Sequence, residues 1–190
     1  MVNRLGLRSF LVLGAISVAT FLCGYALAAE NSYIARAFKE AAFNPHAFLE
    51  TQIVAHYGAG DVRENKNFVE HRYLDPSSGL GAIVSIDADP APQYRIASEI
   101  MLIAKDVGIP SANLEGLGKI ALFGVKVGDG QAAAQAVAQR KYGAKSIRTK
   151  LLGEPVTQLM FFSSEEETNT FYKYYFKDGH VVAMSIGLTD

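Results

Sequence analysis

The sequence predicts an α+β fold built from two tandem units, each a helix packed on a small antiparallel β-meander. Three observations carry this prediction. Apolar residues recur at helical spacing before Tyr57 and again before Tyr142. Runs of aromatic and β-branched residues, separated by turn sequences, follow each predicted helix. The tripeptide Tyr57-Gly58-Ala59 returns about 85 residues later as Tyr142-Gly143-Ala144, which indicates an internal duplication.

The first 28 residues differ from the rest of the chain. Arg4 and Arg8 precede an apolar run from Phe10 to Ala28 that ends in Ala26-Leu27-Ala28, a small-x-small pattern. This order is typical of a secretory signal peptide over residues 1–28, cleaved after Ala28. The alternative is a retained membrane anchor, because about 19 apolar residues are just enough to span a bilayer. We therefore expect a periplasmic or secreted protein that contacts a membrane only if this segment is uncleaved.

The predicted mature chain has no cysteine, because Cys23 is the only one in the sequence. Without disulfides its stability depends on its core, and about 162 residues suffice to bury roughly 70% of the unfolded surface. Removing Arg4 and Arg8 changes the formal charge from −1 to −3. Since this weak charge comes without a basic stripe, we expect no nucleic-acid partner.

The first unit, residues 29–105, is predicted to contain two helices and three strands. Residues 31–43 carry one apolar stripe, and Asn44-Pro45 ends that helix and starts a second. Gly58 ends the second helix, as a residue able to adopt positive φ would. The polar stretch 60–67 is expected to be a loop. Strands are predicted at 68–74, 82–86 and 94–104.

A connector rich in glycine, residues 106–122, leads to the second unit, residues 123–190. Residues 131–142 include five alanines and predict a helix that Gly143 ends. Residues 146–152 are either an edge strand or a loop. Asp178-Gly179 predicts a two-residue hairpin turn. Three strands are predicted, at 156–162, 170–176 and 181–188.

Short motifs around the second unit carry a family resemblance. Val125-Lys126-Val127-Gly128-Asp129-Gly130 precedes the helix, Tyr142-Gly143 follows it, and Lys177-Asp178-Gly179-His180-Val181 joins the last two strands. In this order they resemble the repeat of beta-lactamase-inhibitor-like proteins, which related outer-membrane assembly lipoproteins share. The resemblance covers roughly residues 44–190. It implies a helix on one face of an antiparallel sheet in each of two tandem units, and either an enzyme inhibitor or an envelope-assembly adaptor. The chain departs from the family in lacking disulfides and a lipidated cysteine, which Cys23 does not resemble.

No pattern of catalytic or metal-binding residues stands out. The four histidines, His46, His56, His71 and His180, are not spaced as metal ligands, and we expect them at the surface or in caps. No serine lies in a Gly-x-Ser-x-Gly elbow. The stretch 116–121 fits a dinucleotide fingerprint only loosely, because the required strand and long helix do not flank it. We therefore expect no catalytic residue, no metal and no cofactor, and a protein that is not an enzyme.

The aromatic residues of the last hairpin predict a binding surface. A two-residue turn at Asp178-Gly179 sets Tyr174 opposite Ala183, which separates Met184 and Ile186 on one face from the tyrosines on the other. We expect the Met–Ile face to lie under the helix. The other face then stays open, and its aromatic residues would bind a protein partner; these are Tyr172, Tyr174 and Phe176. The alternative is that the small-residue face takes the helix and the tyrosines are core.

The expected function is therefore an exported, non-enzymatic protein-binding module, either inhibitor-like or an envelope-assembly adaptor, that uses an open β-sheet face. The alternative is a periplasmic small-molecule-binding protein or hydrolase with a pocket between helices and sheet. A deep, enclosed pocket with convergent polar groups would favour the alternative.

Overall fold

The computed structural model describes residues 33–43, 48–89, 91–111 and 113–189. The predicted signal segment 1–28, the first residues of the first predicted helix, the Asn44-Pro45 break and His46 lie outside these residues.

Two successions of helix and strands make up the described chain. Helices α1 (Tyr33–Glu40) and α2 (Glu50–Tyr57) precede four strands: β1 (Asp61–Glu64), β2 (Phe68–Asp75), β3 (Leu80–Asp87) and β4 (Ala97–Ile103). The connector contains the short strand β5 (Ile109–Pro110) and a 3₁₀ turn, Leu117–Lys119. Helix α3 (Gln131–Ala138) precedes four more strands: β6 (Tyr142–Leu151), β7 (Glu154–Phe162), β8 (Thr170–Lys177) and β9 (His180–Leu188).

All nine strands form one sheet in the order β1-β2-β3-β4-β9-β8-β7-β6, with β5 beside β2. Neighbours are antiparallel except β2 and β5, which are parallel. The first meander therefore meets the second where β4 pairs with β9, in the middle of the sheet. The predicted α+β class is confirmed as a mixed fold, mostly sheet, with three α-helices in the described residues.

The main core lies between the helices and one face of the sheet. It joins buried residues of all three helices, such as Phe38, Ile53 and Ala134, to strand residues such as Ile100 and Tyr174. The alanines of α3 let its backbone come close to the sheet, since a methyl group is the only side chain that must fit between them. We call this side of the sheet the helix face.

The two Tyr-Gly-Ala tripeptides occupy different positions. The first ends α2, and Gly58 there has φ of 82°, as expected for a helix stop. The second does not end a helix: the helix predicted from Gln131 is present, but its predicted end at Tyr142 is wrong. Helix α3 stops at Ala138, and Tyr142 begins β6 by pairing with Phe162. Gly143 lies in the register shift that follows this pair, with φ of 64°.

The polar stretch expected to be a loop contains strand β1. It pairs with β2 from Asp61↔Arg72 to Glu64↔Val69. Its residues are exposed except for Asp61, which is half-buried. Because an edge strand with no buried side does not alternate apolar and polar residues, hydrophobic periodicity could not reveal it.

The last hairpin has the expected turn but an unexpected register. Asp178 and Gly179 both have positive φ, which is the geometry of a type I′ turn, and Lys177 pairs with His180. The register then shifts between Tyr175 and Phe176, because Val182 is an extra residue on β9. The expected pairing of Tyr174 with Ala183 is therefore wrong, and Tyr174 pairs with Met184 instead.

Candidate functional site

The three side chains predicted to bind a partner lie in the core. Tyr172, Tyr174 and Phe176 are 2%, 0% and 3% exposed, and they belong to the same cluster as Met184 and Ile186. The prediction that they lie on an open face is wrong, because the bulge brings the tyrosines and the Met–Ile pair to the same side of the sheet. Of the two alternatives, the structure places the tyrosines in the core, where they offer a partner almost no surface.

The two phenols anchor β8 to distant segments instead. Tyr172 donates to the carbonyl of Ala41 after α1, and Tyr174 donates to the carbonyl of Leu122 over 2.6 Å. Burial raises the pKa of both phenols above the ordinary value, so they remain neutral donors. These contacts stabilise the fold.

The opposite side of the sheet, which we call the open face, has no described helix packed on it. The strand register places polar, aromatic and methionine side chains across it, with both meanders contributing. They are Arg63, Glu70, Arg72, Ser85, Glu99, Met101, Gln158, Met160, Phe162, Phe171, Lys173 and Tyr175.

A stack of four residues lies at the centre of the open face. The ring of Phe171 crosses Gly187, where a Cβ atom would lie 2.5 Å from ring atom Cζ. The Lys173 ammonium lies 3.9 Å from the centre of this ring and also 3.1 Å from Glu99 Oε2. The Lys173 ammonium therefore makes a cation–π contact with the Phe171 ring and an ion pair with the Glu99 carboxylate. This arrangement fixes a charged pair on a rigid surface.

Tyr175 lies next to this stack and is 5% exposed. Burial, with a contribution from the Glu99 carboxylate, raises the pKa of its phenol well above the ordinary value. The hydroxyl of the neighbouring Ser185 has a smaller, opposite effect on that pKa. This buried hydroxyl forms no well-aligned hydrogen bond with a described residue. Tyr175 therefore places a buried, uncharged phenol beside the Lys173–Glu99 ion pair.

A second ion pair lies on the first meander. Arg72 donates to Glu70 Oε2 from Nε over 2.9 Å and from Nη2 over 2.6 Å. Arg63, on the neighbouring strand, pairs with Asp61 over 3.1 Å. Positive and negative groups thus alternate along this end of the open face, and their charges are largely neutralised within the chain.

An open groove of about 1050 Å³ lies at the edge of this surface, near the connector. Lys105 and Val107 pass over Gly81, where a Cβ would be 2.6 Å from the Lys105 carbonyl oxygen. Arg63 and Arg72 line the groove together with Asp61 and Asp106. Because both arginines already bind carboxylates, the groove has little unbalanced positive charge with which to hold an anion. In residues 33–43, 48–89, 91–111 and 113–189, no group of three or more potential metal ligands is found.

His71 is a polar residue whose position the sequence did not reveal. It was expected at the surface, but it is 3% exposed. Its Nδ1 lies 2.7 Å from the Ala59 carbonyl oxygen, and its Nε2 lies 3.0 Å from Glu50 Oε1. Arg95 Nη1 approaches the other oxygen of Glu50 at 3.7 Å. The cluster ties α2 to the sheet. His180 is exposed, as expected.

Among the described helices, none has the length and apolar character needed to cross a membrane. Comparison of the chain with protein-family models, with curated proteins and with solved structures finds no match. The resemblance to beta-lactamase-inhibitor-like repeats therefore depends on the sequence motifs alone.

Proposed function

We propose that this protein is an exported, non-enzymatic binding module that holds a protein partner on the open face of its sheet. The observation that carries the proposal is the asymmetry of the sheet. The helices pack on one face, whereas the other presents the Lys173–Glu99 pair on the Phe171 ring with no described helix above it. Aromatic residues and methionine, such as the half-buried Phe162 and Met160 beside this pair, are enriched in protein interfaces.

The proposed architecture is a tandem duplication, residues 29–105 and 123–190 joined by the connector 106–122. The strand order supports it, because each half has a helix followed by a four-stranded meander and each meander ends at the central pair β4–β9. Under this proposal, the open face is a joint product of the two units. A partner that covers the centre of the face would contact both.

The proposed mechanism is recognition by a preorganised surface. The ammonium of Lys173 and the carboxylate of Glu99 hold each other in place, so binding orders few additional side-chain bonds. Half-buried Met160 and Phe162 flank the stack and offer apolar contact area. The alternative, a small-molecule-binding protein or hydrolase, has less support, since the groove near the connector is open and its arginines are paired.

Export and the kind of partner are further parts of the proposal. The signal-peptide pattern of residues 1–28 supports a periplasmic or secreted location. The resemblance supports either an enzyme to be inhibited or an envelope-assembly component as the partner.

Site-specific photo-crosslinking in the producing cells tests this function. A photoreactive residue at Gln158 or Met160 probes the open face, and one at Gln135, exposed on α3, is the matched control. We expect a discrete protein adduct from the two open-face positions and none from Gln135. The same adduct from all three positions, or none from either open-face position in correctly folded protein, would contradict the proposal.

A further inference from the structure

Strand β6 forms one outer edge of the sheet. It is ten residues long and pairs on one side only, with β7. After the shift near Gly143 the register is regular, from Lys145↔Met160 to Leu151↔Glu154. Among the described strands, none lies beside the backbone groups on the other side of this stretch, which makes the edge a template for another extended chain.

The edge is also strongly cationic. No acidic residue occurs between Asp129 and Glu154, and five cations fall in this interval: Arg140, Lys141, Lys145, Arg148 and Lys150. Lys141 lies over the Phe123 ring at 4.1 Å. The three cations of β6 are exposed and form no ion pair with any residue in the described ranges.

The side chains of β6 sort by face in a way that suits a particular ligand. Arg148 and Lys150, two residues apart, point to the same side of the sheet. Ile147, which is 42% exposed, points to the other side together with Lys145. An added strand that alternates acidic with β-branched residues would set its carboxylates beside Arg148 and Lys150 and its apolar groups beside Ile147.

The opposite edge of the sheet lacks these properties. Strand β1 has four residues of mixed charge, and Arg63 pairs with Asp61 within the strand. Strand β5 occupies the continuation of that edge, beside Tyr73 and Leu74. Arg63 is exposed but paired, so exposed cations outside ion pairs distinguish the β6 edge from the β1 edge.

Charge also excludes a second copy of the chain as the occupant. Two antiparallel β6 strands would bring cations against cations, and opposed like charges destabilise a strand pair. The same charges that prevent self-association attract an acidic segment.

We propose that the β6 edge binds an extended, acidic segment of a partner protein by β-strand addition. Main-chain hydrogen bonds to the free edge supply affinity, and Arg148 and Lys150 select for acidic side chains. Because Ile147 pairs with Gln158, a strand added here would border the open face. Its binding depends on the backbone edge and the cations of β6, whatever the open face itself binds.

The test uses a fluorescent ten-residue peptide of alternating Glu and Val, with a Gln–Val peptide of the same length as control. We expect the Glu–Val peptide to bind the full-length protein, and amide hydrogen exchange in β6 to slow when it does. Arg148→Glu with Lys150→Glu should weaken binding by about tenfold or more, since each reversal replaces an attraction between opposite charges by a repulsion between like charges. Lys119→Glu with Lys126→Glu changes the net charge equally outside β6 and should leave binding unchanged.

Three results would overturn the proposal. The first is equal binding of the Gln–Val peptide, which would remove the role of charge. The second is an equal loss of affinity in the two double variants, which would show that only the overall charge matters. The third is binding of duplex DNA or phosphatidylglycerol vesicles at β6 with no protection of β6 amides by the Glu–Val peptide, which would make the edge a general polyanion surface. Circular dichroism of each variant establishes that it is folded.

Discussion

Lys173 and Glu99 form an ion pair across strand β9, with Lys173 Nζ 3.1 Å from Glu99 Oε2 although 74 residues separate them in the sequence. Lys173 belongs to β8 and Glu99 to β4, so the pair spans the line where the two meanders meet. The side chains are 16% and 20% exposed, which protects their interaction from most solvent screening. This pair links the two halves on the open face, as the main core does on the helix face.

A double-mutant cycle with Lys173→Met and Glu99→Gln should give a coupling free energy of about 1 kcal/mol, at the upper end for ion pairs of this exposure. Urea denaturation of the four proteins measures it. The exposed pair Lys177–Glu154 is the matched control and should show a smaller coupling. Equal coupling free energies in both cycles would mean that placing Lys173 over the Phe171 ring does not strengthen its ion pair.

Tyr174→Phe should lower the free energy of unfolding by about 1 kcal/mol, because the buried carbonyl of Leu122 loses one of its two donors and keeps only the Val125 amide. Tyr172→Phe should have a similar effect through Ala41. Truncation of either to Ala should cost roughly 3–5 kcal/mol, as for other buried aromatic residues. Tyr94, which is 70% exposed, is the control, and Tyr94→Phe should leave the urea midpoint unchanged. If the alanine variants folded normally but lost partner binding, Tyr172 and Tyr174 would be interface residues after all.

Asp75→Asn should make stability less dependent on pH under acid conditions. Burial opposes ionisation of this carboxyl, but hydrogen bonds from Ser77, Ser78 and the Leu117 amide outweigh it and lower its pKa. Folding therefore favours the carboxylate. Its contribution is complete above the ordinary aspartate pKa of about 4 and is lost as the pH falls through the lower folded value.

The measurement is urea denaturation of wild type and Asp75→Asn from pH 2 to pH 7. We expect the variant to be less stable at pH 7 by about 1–3 kcal/mol, with a gap that narrows below about pH 4. Asp106→Asn changes an exposed position of the connector, and its free energy of unfolding should depend on pH as that of wild type does. A gap for Asp75→Asn that widens toward low pH would contradict the assigned direction of its pKa.

Gly187→Ala should destabilise the protein by several times more than a typical surface substitution, roughly 2–4 kcal/mol. The added Cβ would lie 2.5 Å from both Phe171 Cζ and the Ser98 carbonyl oxygen, and the latter is backbone that cannot move aside easily. Gly130→Ala is the control, since nothing lies within 4 Å of its Cβ position, and it should cost less than about 1 kcal/mol. Thermal unfolding of both variants compares them.

Expression from the native start should yield a mature chain that begins at Ala29, because the small-x-small pattern ends at Ala28. Intact mass and N-terminal sequencing of the purified protein determine this directly. Ala28→Leu, which places a bulky residue at the cleavage position, should block processing and leave the full chain in the membrane fraction. Recovery of unprocessed wild type in that fraction would establish a retained anchor instead.

Sequence reasoning located most strands because their apolar residues are bounded by turn residues, as in the hairpin at Asp178-Gly179. It could not assign the faces of that hairpin. One extra residue on β9, Val182, changes the side to which Met184 and Ile186 point, and a bulge leaves no signature in hydrophobic periodicity. The candidate site therefore changed from Tyr172 and Tyr174 to the opposite face, where Lys173 lies.

The buried polar residues were missed for a related reason. His71 alternates with the apolar residues Val69 and Tyr73 on the inward side of β2, which is a core position. Histidine at such a position requires two buried partners, and these come from Ala59 and Glu50, outside the strand. Contacts between residues so distant in sequence depend on the complete fold, so the local pattern of polar and apolar residues does not predict them.

The position of β9 governs when the sheet can form. It comes after the other described strands in the sequence, yet it lies in the centre of the sheet, between β4 and β8. Until β9 has been synthesised, the first meander has an unpaired strand at β4 and the second is missing its last partner. Pairing between segments so distant in sequence is slow, because a large loop must close first. A nascent chain with this topology therefore cannot complete its sheet until β9 has been made.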